Sequence, residues 1–279
     1  MHLPTNLNQI SKKLFFPLFI LFTGLLSMAP GTSWAQPDAG DYRTIITGAF
    51  VTWADANTWE RYNGTTWQPA TVSPDFNDGV ITVRSPTILR VTANVTIDQT
   101  IVENGASLQP INAGSTLTIN NGTGADLTLN GFGALVWGNN HLLNVTNGAL
   151  IEGTSSSIQY RGLTMINNGT INATLNTRPD VASTTINGTG TIRTLEISNN
   201  GGCFLGGNQT VTNLLRFDFG DLITGSNSVI LSDVATVFGA SNSSNVNGNV
   251  QRQFTNANPG SYLLPIGDGN RYAPLLLGP

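Results

Sequence analysis

Aliphatic and polar residues alternate in short bursts along most of this chain. Between Thr87 and Val250, runs such as Leu117-Thr-Ile119 and Leu127-Thr-Leu129 set an aliphatic residue at every second position, with threonine between. A period of two belongs to a strand with one face buried and the other in water. The three-to-four spacing of an amphipathic helix is absent from the region. One phrase punctuates the strands: a glycine-containing turn, one to three small residues, then an aliphatic residue. It appears as Asn104-Gly-Ala-Ser-Leu108, Ala113-Gly-Ser-Thr-Leu117, Asn130-Gly-Phe-Gly-Ala-Leu135, Asn147-Gly-Ala-Leu150, Asn168-Gly-Thr-Ile171 and Asn187-Gly-Thr-Gly-Thr-Ile192. Asn and Gly supply the positive φ angles of tight bends.

Short strands at this density fit either an antiparallel β-sandwich or a coil of parallel strands. Repetition of the phrase favours the coil. Asn-Gly corners recur at Asn104, Asn130, Asn147, Asn168 and Asn187. Their uneven intervals match one solenoid turn of two or three strands, with loops of varying length at the corners. The expected fold is therefore all-β, a right-handed parallel β-helix with an N-terminal cap, the antiparallel β-sandwich being the alternative. Stacked turns bury their Leu, Ile and Val against one another, each worth about 1.5–3 kcal/mol. Like charges stacked at the rung spacing would repel, which accounts for charged residues making up only 10% of the chain.

Four segments follow from this pattern. Residues 1–35 read as a cleavable export signal: Lys12-Lys13, an apolar run from Leu14 to Leu26, and Ser33-Trp34-Ala35 before Gln36. The apolar run is shorter than the roughly 20 residues a membrane-spanning helix requires, and nothing later is long and apolar enough to span. Residues 36–86 form an aromatic-rich cap, 87–250 the repeats, and 251–279 the start of a further β segment. The cap aromatics include Tyr42, Trp53, Trp59 and Trp67. They serve either as the cap's core or, for Trp53, Trp59 and Trp67, as a platform on which sugar rings stack. Asp75-Phe-Asn-Asp78-Gly79 resembles the opening of a calcium loop, but Pro86 stands where the closing Glu belongs, so a turn is expected. Gly267-Asp-Gly-Asn270 is read the same way. No metal site or cofactor is expected.

Composition excludes several functions. Residues 36–279 hold ten arginines, no lysine and 16 acids, a formal charge of −6, which rules out a cationic nucleic-acid groove. Cys203 is the sole cysteine, so no intrachain disulfide forms and packing alone must hold the fold. A buried apolar role suits it better than nucleophilic chemistry. His141, in Gly138-Asn-Asn-His141, is expected at a solvated corner.

The two ends carry a resemblance. Tyr42-Arg43-Thr44 followed by Gly48-Ala-Phe-Val-Thr-Trp53-Ala-Asp-Ala-Asn-Thr58-Trp59, then Pro74 to Val83, resembles the opening of large secreted surface proteins of the Bacteroidetes. Asn247-Gly-Asn-Val-Gln-Arg252 and Tyr262-Leu-Leu-Pro-Ile-Gly267-Asp-Gly-Asn-Arg-Tyr-Ala-Pro274 resemble their closing segment. The resemblance implies an adhesin-like role at the cell surface, export by the type IX route, and a longer parent polypeptide of which this is an N-terminal fragment. It carries over no catalytic residues.

The rival class is a polysaccharide lyase or glycoside hydrolase built on a β-helix. Hydrolysis needs two carboxylates on one face, and lyase chemistry needs a calcium-binding carboxylate cluster with a base. The acids of the repeat region are Asp98, Glu103, Asp126, Glu152, Asp180, Glu196, Asp218, Asp221 and Asp233. Only Asp218 and Asp221 are close in sequence, at a spacing that does not share a strand face. Arg161, Arg178, Arg193 and Arg216 offer at most a weak patch for anionic sugars. The expectation is a non-catalytic, secreted or cell-surface scaffold with glycans or other surface polymers as partners.

Overall fold

The computed structural model describes residues 36–45, 50–111, 114–131, 134–178, 183–255 and 260–278. The export signal expected over 1–35 lies outside the described residues, as do positions 46–49 of the opening motif and Asp180. The compact unit spans Pro37–Pro279.

The strands coil rather than face each other in two layers. Three faces wind past in fixed order, and each strand pairs in parallel with the strand one turn later. Face A runs through Tyr42–Thr44, Ile81–Val83, Thr100–Val102 and Leu127–Leu129, then through the first halves of Leu150–Gly162, Thr170–Thr177, Thr191–Ser198 and Gln209–Phe219. Face B takes Phe50–Thr52, Ile88–Val91, Ser107–Pro110 and Ala134–Asn139, the second halves of those four long strands, and Thr236–Phe238. Face C takes Val95–Ile97, Thr116–Ile119, Leu142–Val145, Thr164–Asn167, Thr184–Asn187 and Cys203–Leu205. It continues through the openings of Leu222–Leu231 and Val246–Arg252 and ends on Ile266–Gly267. The repeat is thus a three-strand turn. Where a long strand serves two faces, its register slips at the corner, as between Gly153 and Ser157.

Register explains the interior. On face A the column Ile81, Thr100, Leu127, Ile151, Ile171, Ile192, Val211, Leu231 is fully buried. Face B contributes Leu89, Leu108, Leu135, Ile158, Leu175, Leu195 and Leu215 in the same way. Like sits on like because each turn repeats the inward positions of the last. Turn length varies: the turn from Ile81 to Thr100 is short, and the next, from Thr100 to Leu127, is much longer. Excess chain leaves at corners without disturbing the columns.

The Asn-Gly phrase turns out to mark two different corners. Asn104-Gly105 and Asn130-Gly131 lead from face A to face B, whereas Asn147-Gly148, Asn168-Gly169 and Asn187-Gly188 lead from face C to face A. The short interval from Asn130 to Asn147 therefore spans two kinds of corner and is not a turn. At the face C–face A corner Gly188 has φ +89°, and a Cβ on Gly207, one turn later, would run into the Gly188 carbonyl oxygen. Glycine at 207 is needed for backbone to lie on backbone. Beneath this corner the buried Asn167 Nδ2 donates to Gln209 Oε1 at 2.9 Å, and Gln209 Nε2 donates to the Gly188 carbonyl at 2.8 Å. Two amides that would otherwise be costly to bury thus tie three turns together.

The first complete turn opens at Ile81, within the segment read as the cap. Upstream, the antiparallel hairpin Trp59–Tyr62/Trp67–Pro69 pairs with Tyr42–Thr44 and covers the first strand edge, which would otherwise be open to further pairing. Trp59 packs edge-on against Trp53 and Tyr42. Its Nε1 donates to the Trp53 carbonyl, and Trp53 Nε1 donates to the Pro74 carbonyl, both at 2.9 Å. At the other end, Tyr262–Leu264 and Leu275–Leu277 form an antiparallel pair. Both motifs read as turns are closed by their own side chains: Asp75 accepts from the Asn77 amide, and Asp268 from the amides of Asn270 and Arg271.

One polar group departs from the sequence reading, and an acid pair that it did not single out comes together. His141 is 5% exposed, not solvated, because its corner folds over the turn below, where its Nδ1 lies 2.8 Å from Ser115 Oγ. Burial holds its pKa below the ordinary histidine value. Asp98 and Asp126 stack on successive turns, and Asp126 accepts from the amides of Gly122 and Leu150. Burial first, then the hydrogen bond and charge of Asp126, push the Asp98 carboxyl up to about 6.

Two outcomes follow. Leu175→Ala, in the middle of the face B column, should lower unfolding free energy by about 2–5 kcal/mol, read as a shift in the urea midpoint. The raised Asp98 value means the folded chain holds a proton that the unfolded chain releases near pH 4. Its contribution is full below about pH 4 and lost as pH rises through about 6. The melting temperature of Asp98→Asn should accordingly gain on that of the parent chain between about pH 4.5 and 7.

Candidate functional site on the outer side of face B

The three tryptophans proposed as a sugar platform are not brought together on the surface. Trp53 is 2% and Trp59 0% exposed, so neither offers a ring face to a ligand. Their apolar area builds the cap's interior instead. Trp67 is half-buried beside Tyr62, ring centres 5.2 Å apart, and the Arg43 guanidinium lies 4.2 Å over its ring.

The outward side of face B carries a constellation of charged, amide and aromatic groups. Register aligns Val136, Gln159, Asn176, Glu196, Arg216 and Phe238 in one row, a residue per turn. Rows of this kind rise at about 4.8 Å per turn. Asn176 Nδ2 donates to Glu196 Oε2 at 2.8 Å. Arg216 Nε donates to Asp218 Oδ1 at 2.9 Å and lies 3.4 Å from Glu196 Oε1. Ser198 Oγ donates to Asp218 Oδ2 at 2.9 Å. Phe238, 64% exposed, ends the row with Arg216 5.9 Å from its ring centre. At the other end of the face, Arg90 lies 3.8 Å over Phe50.

Electrostatics inside the cluster split the two carboxyls. Burial and a shared hydrogen bond with Asp218 hold Glu196 above the ordinary glutamate range, opposed by Asn176 and Arg216. Desolvation pushes Asp218 upward, but donation from Ser198 and Glu196 and the Arg216 charge together outweigh it and hold the group below the ordinary aspartate range. The two carboxyls are thus pushed in opposite directions, with Arg216 as the cation beside both. These side chains form one hydrogen-bonded set, partly open to solvent at Arg216 and Asp218.

Asp218 and Asp221, close in sequence but read as unable to share a strand face, are kept apart in the structure. Asp218 faces outward on face B, while Asp221 sits at the corner before face C and accepts from the Asn245 amide at 2.9 Å. The pair that does meet, Glu196 and Asp218, comes from successive turns. One turn of register sets Glu196 level with Arg216, two residues before Asp218. An outward polar row on adjacent strands was the available signal, but reading it requires the register. Asp98 and Asp126 also meet across one turn, while Glu103 accepts from the Ser85 amide and Glu152 from Asn172. Arg216 stacks on Glu196, not on another arginine as the anionic-sugar patch would need. Among the described residues, no group of three or more His, Cys, Asp or Glu is placed to hold a metal ion. Cys203 is fully buried, and burial pushes its thiol up to about 12, far from a reactive thiolate.

The stacked three-strand turn defines the chain's class: it is a β-solenoid, a parallel β-helix protein. No protein-family model, curated protein or solved structure matches it.

Carboxyl-detected NMR titration should show Glu196 titrating above, and Asp218 below, the range of exposed carboxyls. Asp218→Asn should move Glu196 part of the way back, since burial persists when the like charge is gone.

Proposed function

We propose that this protein is an exported, non-catalytic scaffold of the cell surface or extracellular space, acting in adhesion or weak glycan binding. The observation that carries this reading is the outer row of face B. It presents planar amide, carboxyl and guanidinium groups one per turn on a framework held rigid by buried aliphatic columns. Such a surface offers several weak contacts in a line at one per turn, which suits an extended polymer better than a small substrate. The resemblance of the opening and closing motifs to secreted Bacteroidetes proteins supports a surface location and type IX export, and supports a longer parent polypeptide. Among the described residues no helix is long and apolar enough to cross a membrane.

A polysaccharide hydrolase is the second reading, favoured by the raised carboxyl of Glu196 beside a charged Asp218. The geometry weighs against it. Glycosidases hold their carboxyls about 5–9.5 Å apart, leaving room for sugar and water, whereas these two share a hydrogen bond.

A glycan array and a pull-down on cell-wall material, run with the full chain, should give weak retention. Viscosity and reducing-end assays on neutral and acidic polysaccharides should stay at background. Shortened polymer or unsaturated ends would replace the scaffold with an enzyme.

A further inference from the structure

Resting on the glycan-binding reading above, we infer that Phe238, Arg216 and Asp218 form a subsite for one residue of a neutral, extended polysaccharide, whose chain continues along the row past Glu196 and Asn176. A pyranose has an apolar C–H face and a rim of hydroxyls. Phe238 supplies a ring that is 64% exposed at the end of the row. Arg216 lies over that ring, 5.9 Å from its centre, and is paired with Asp218, their side chains 44% and 30% exposed; a sugar seated against the ring's edge and free face would bring its hydroxyls toward this pair.

The charge pattern selects the ligand. Arg216 is already matched by Asp218 at 2.9 Å and approached by Glu196 at 3.4 Å. A uronic acid would bring a further carboxylate beside the charged Asp218, where the one cation is already paired, and like charges at such range repel. A hydroxyl incurs no such repulsion. It donates to Asp218 or Glu196 and accepts from the guanidinium, whose contacts with both acids run through Nε. The direction of the polymer follows from the row. Arg216, Glu196 and Asn176 succeed one another by one turn each, so a chain lying along the coil axis passes a planar polar group every ~4.8 Å, with Arg216 the most open of them and the Glu196 side chain 14% exposed.

Affinity electrophoresis of the full chain through gels containing a soluble neutral β-glucan or polygalacturonate tests this. The glucan should retard the chain and polygalacturonate should not. Phe238→Ala, a surface change that leaves the columns intact, should weaken retardation about tenfold, the loss of one aromatic contact with its neighbours. Asp218→Asn should weaken it as well, and Phe76→Ala, an exposed ring in the cap, should leave it unchanged. Retardation only by polygalacturonate, none by the glucan, or an undiminished effect in Phe238→Ala would overturn the subsite. A chain retained by cell-wall material but indifferent to the glucan would lose this subsite and keep the scaffold reading. Glucan retardation through Phe238 with shortening of the polymer would keep the subsite and remove the non-catalytic reading.

Discussion

Register between successive turns is the constraint on which the structure depends. A parallel strand offers its neighbour an unbroken line of amides and carbonyls, and pairing one residue out of step would turn every inward side chain outward. The aliphatic columns penalise that slip, since Leu135, Ile158, Leu175, Leu195 and Leu215 would exchange places with Val136, Gln159, Asn176, Glu196 and Arg216. Interior packing and outward chemistry are thus set by one choice. The same register that piles leucine on leucine stacks amide on carboxyl on guanidinium outside.

Corners carry the variation. Extra residues leave at them, as in the longer turn from Thr100 to Leu127, while glycines such as Gly207 appear where backbone lies directly on backbone. Polar groups caught inside are tied between turns: Asn167 to Gln209, Ser115 to His141, Asp98 to Asp126. Each tie bridges positions distant in the chain but only one or two rungs apart in space. Buried polar groups here serve as axial ties.

Much of this was legible beforehand. Period-two alternation and the recurring glycine corners implied parallel strands in a coil, because a two-layer sandwich has no cause to repeat its corners. Three faces per turn were less legible, since Asn-Gly serves two different corners and its spacing mixes them. The tryptophans show the limit of residue type as a guide. A tryptophan suits a sugar platform and a packed interior equally well, and Trp53 and Trp59 went inside because their Nε1 groups found carbonyl partners there. His141 sits in a polar, glycine-rich stretch that reads as solvated, yet its corner folds over the turn below and encloses it.

The amino-acid sequence alone determined that the chain would coil, since alternation and glycine placement are local properties and each turn contains its own instructions for bending. It determined the low charge and the apolar interior for the same reason. Which outward side chains meet was decided only in the tertiary structure. Glu196 and Asp218 are neighbours because one full turn sets Glu196 level with Arg216, two residues before Asp218, and that register depends on how every corner between them closes.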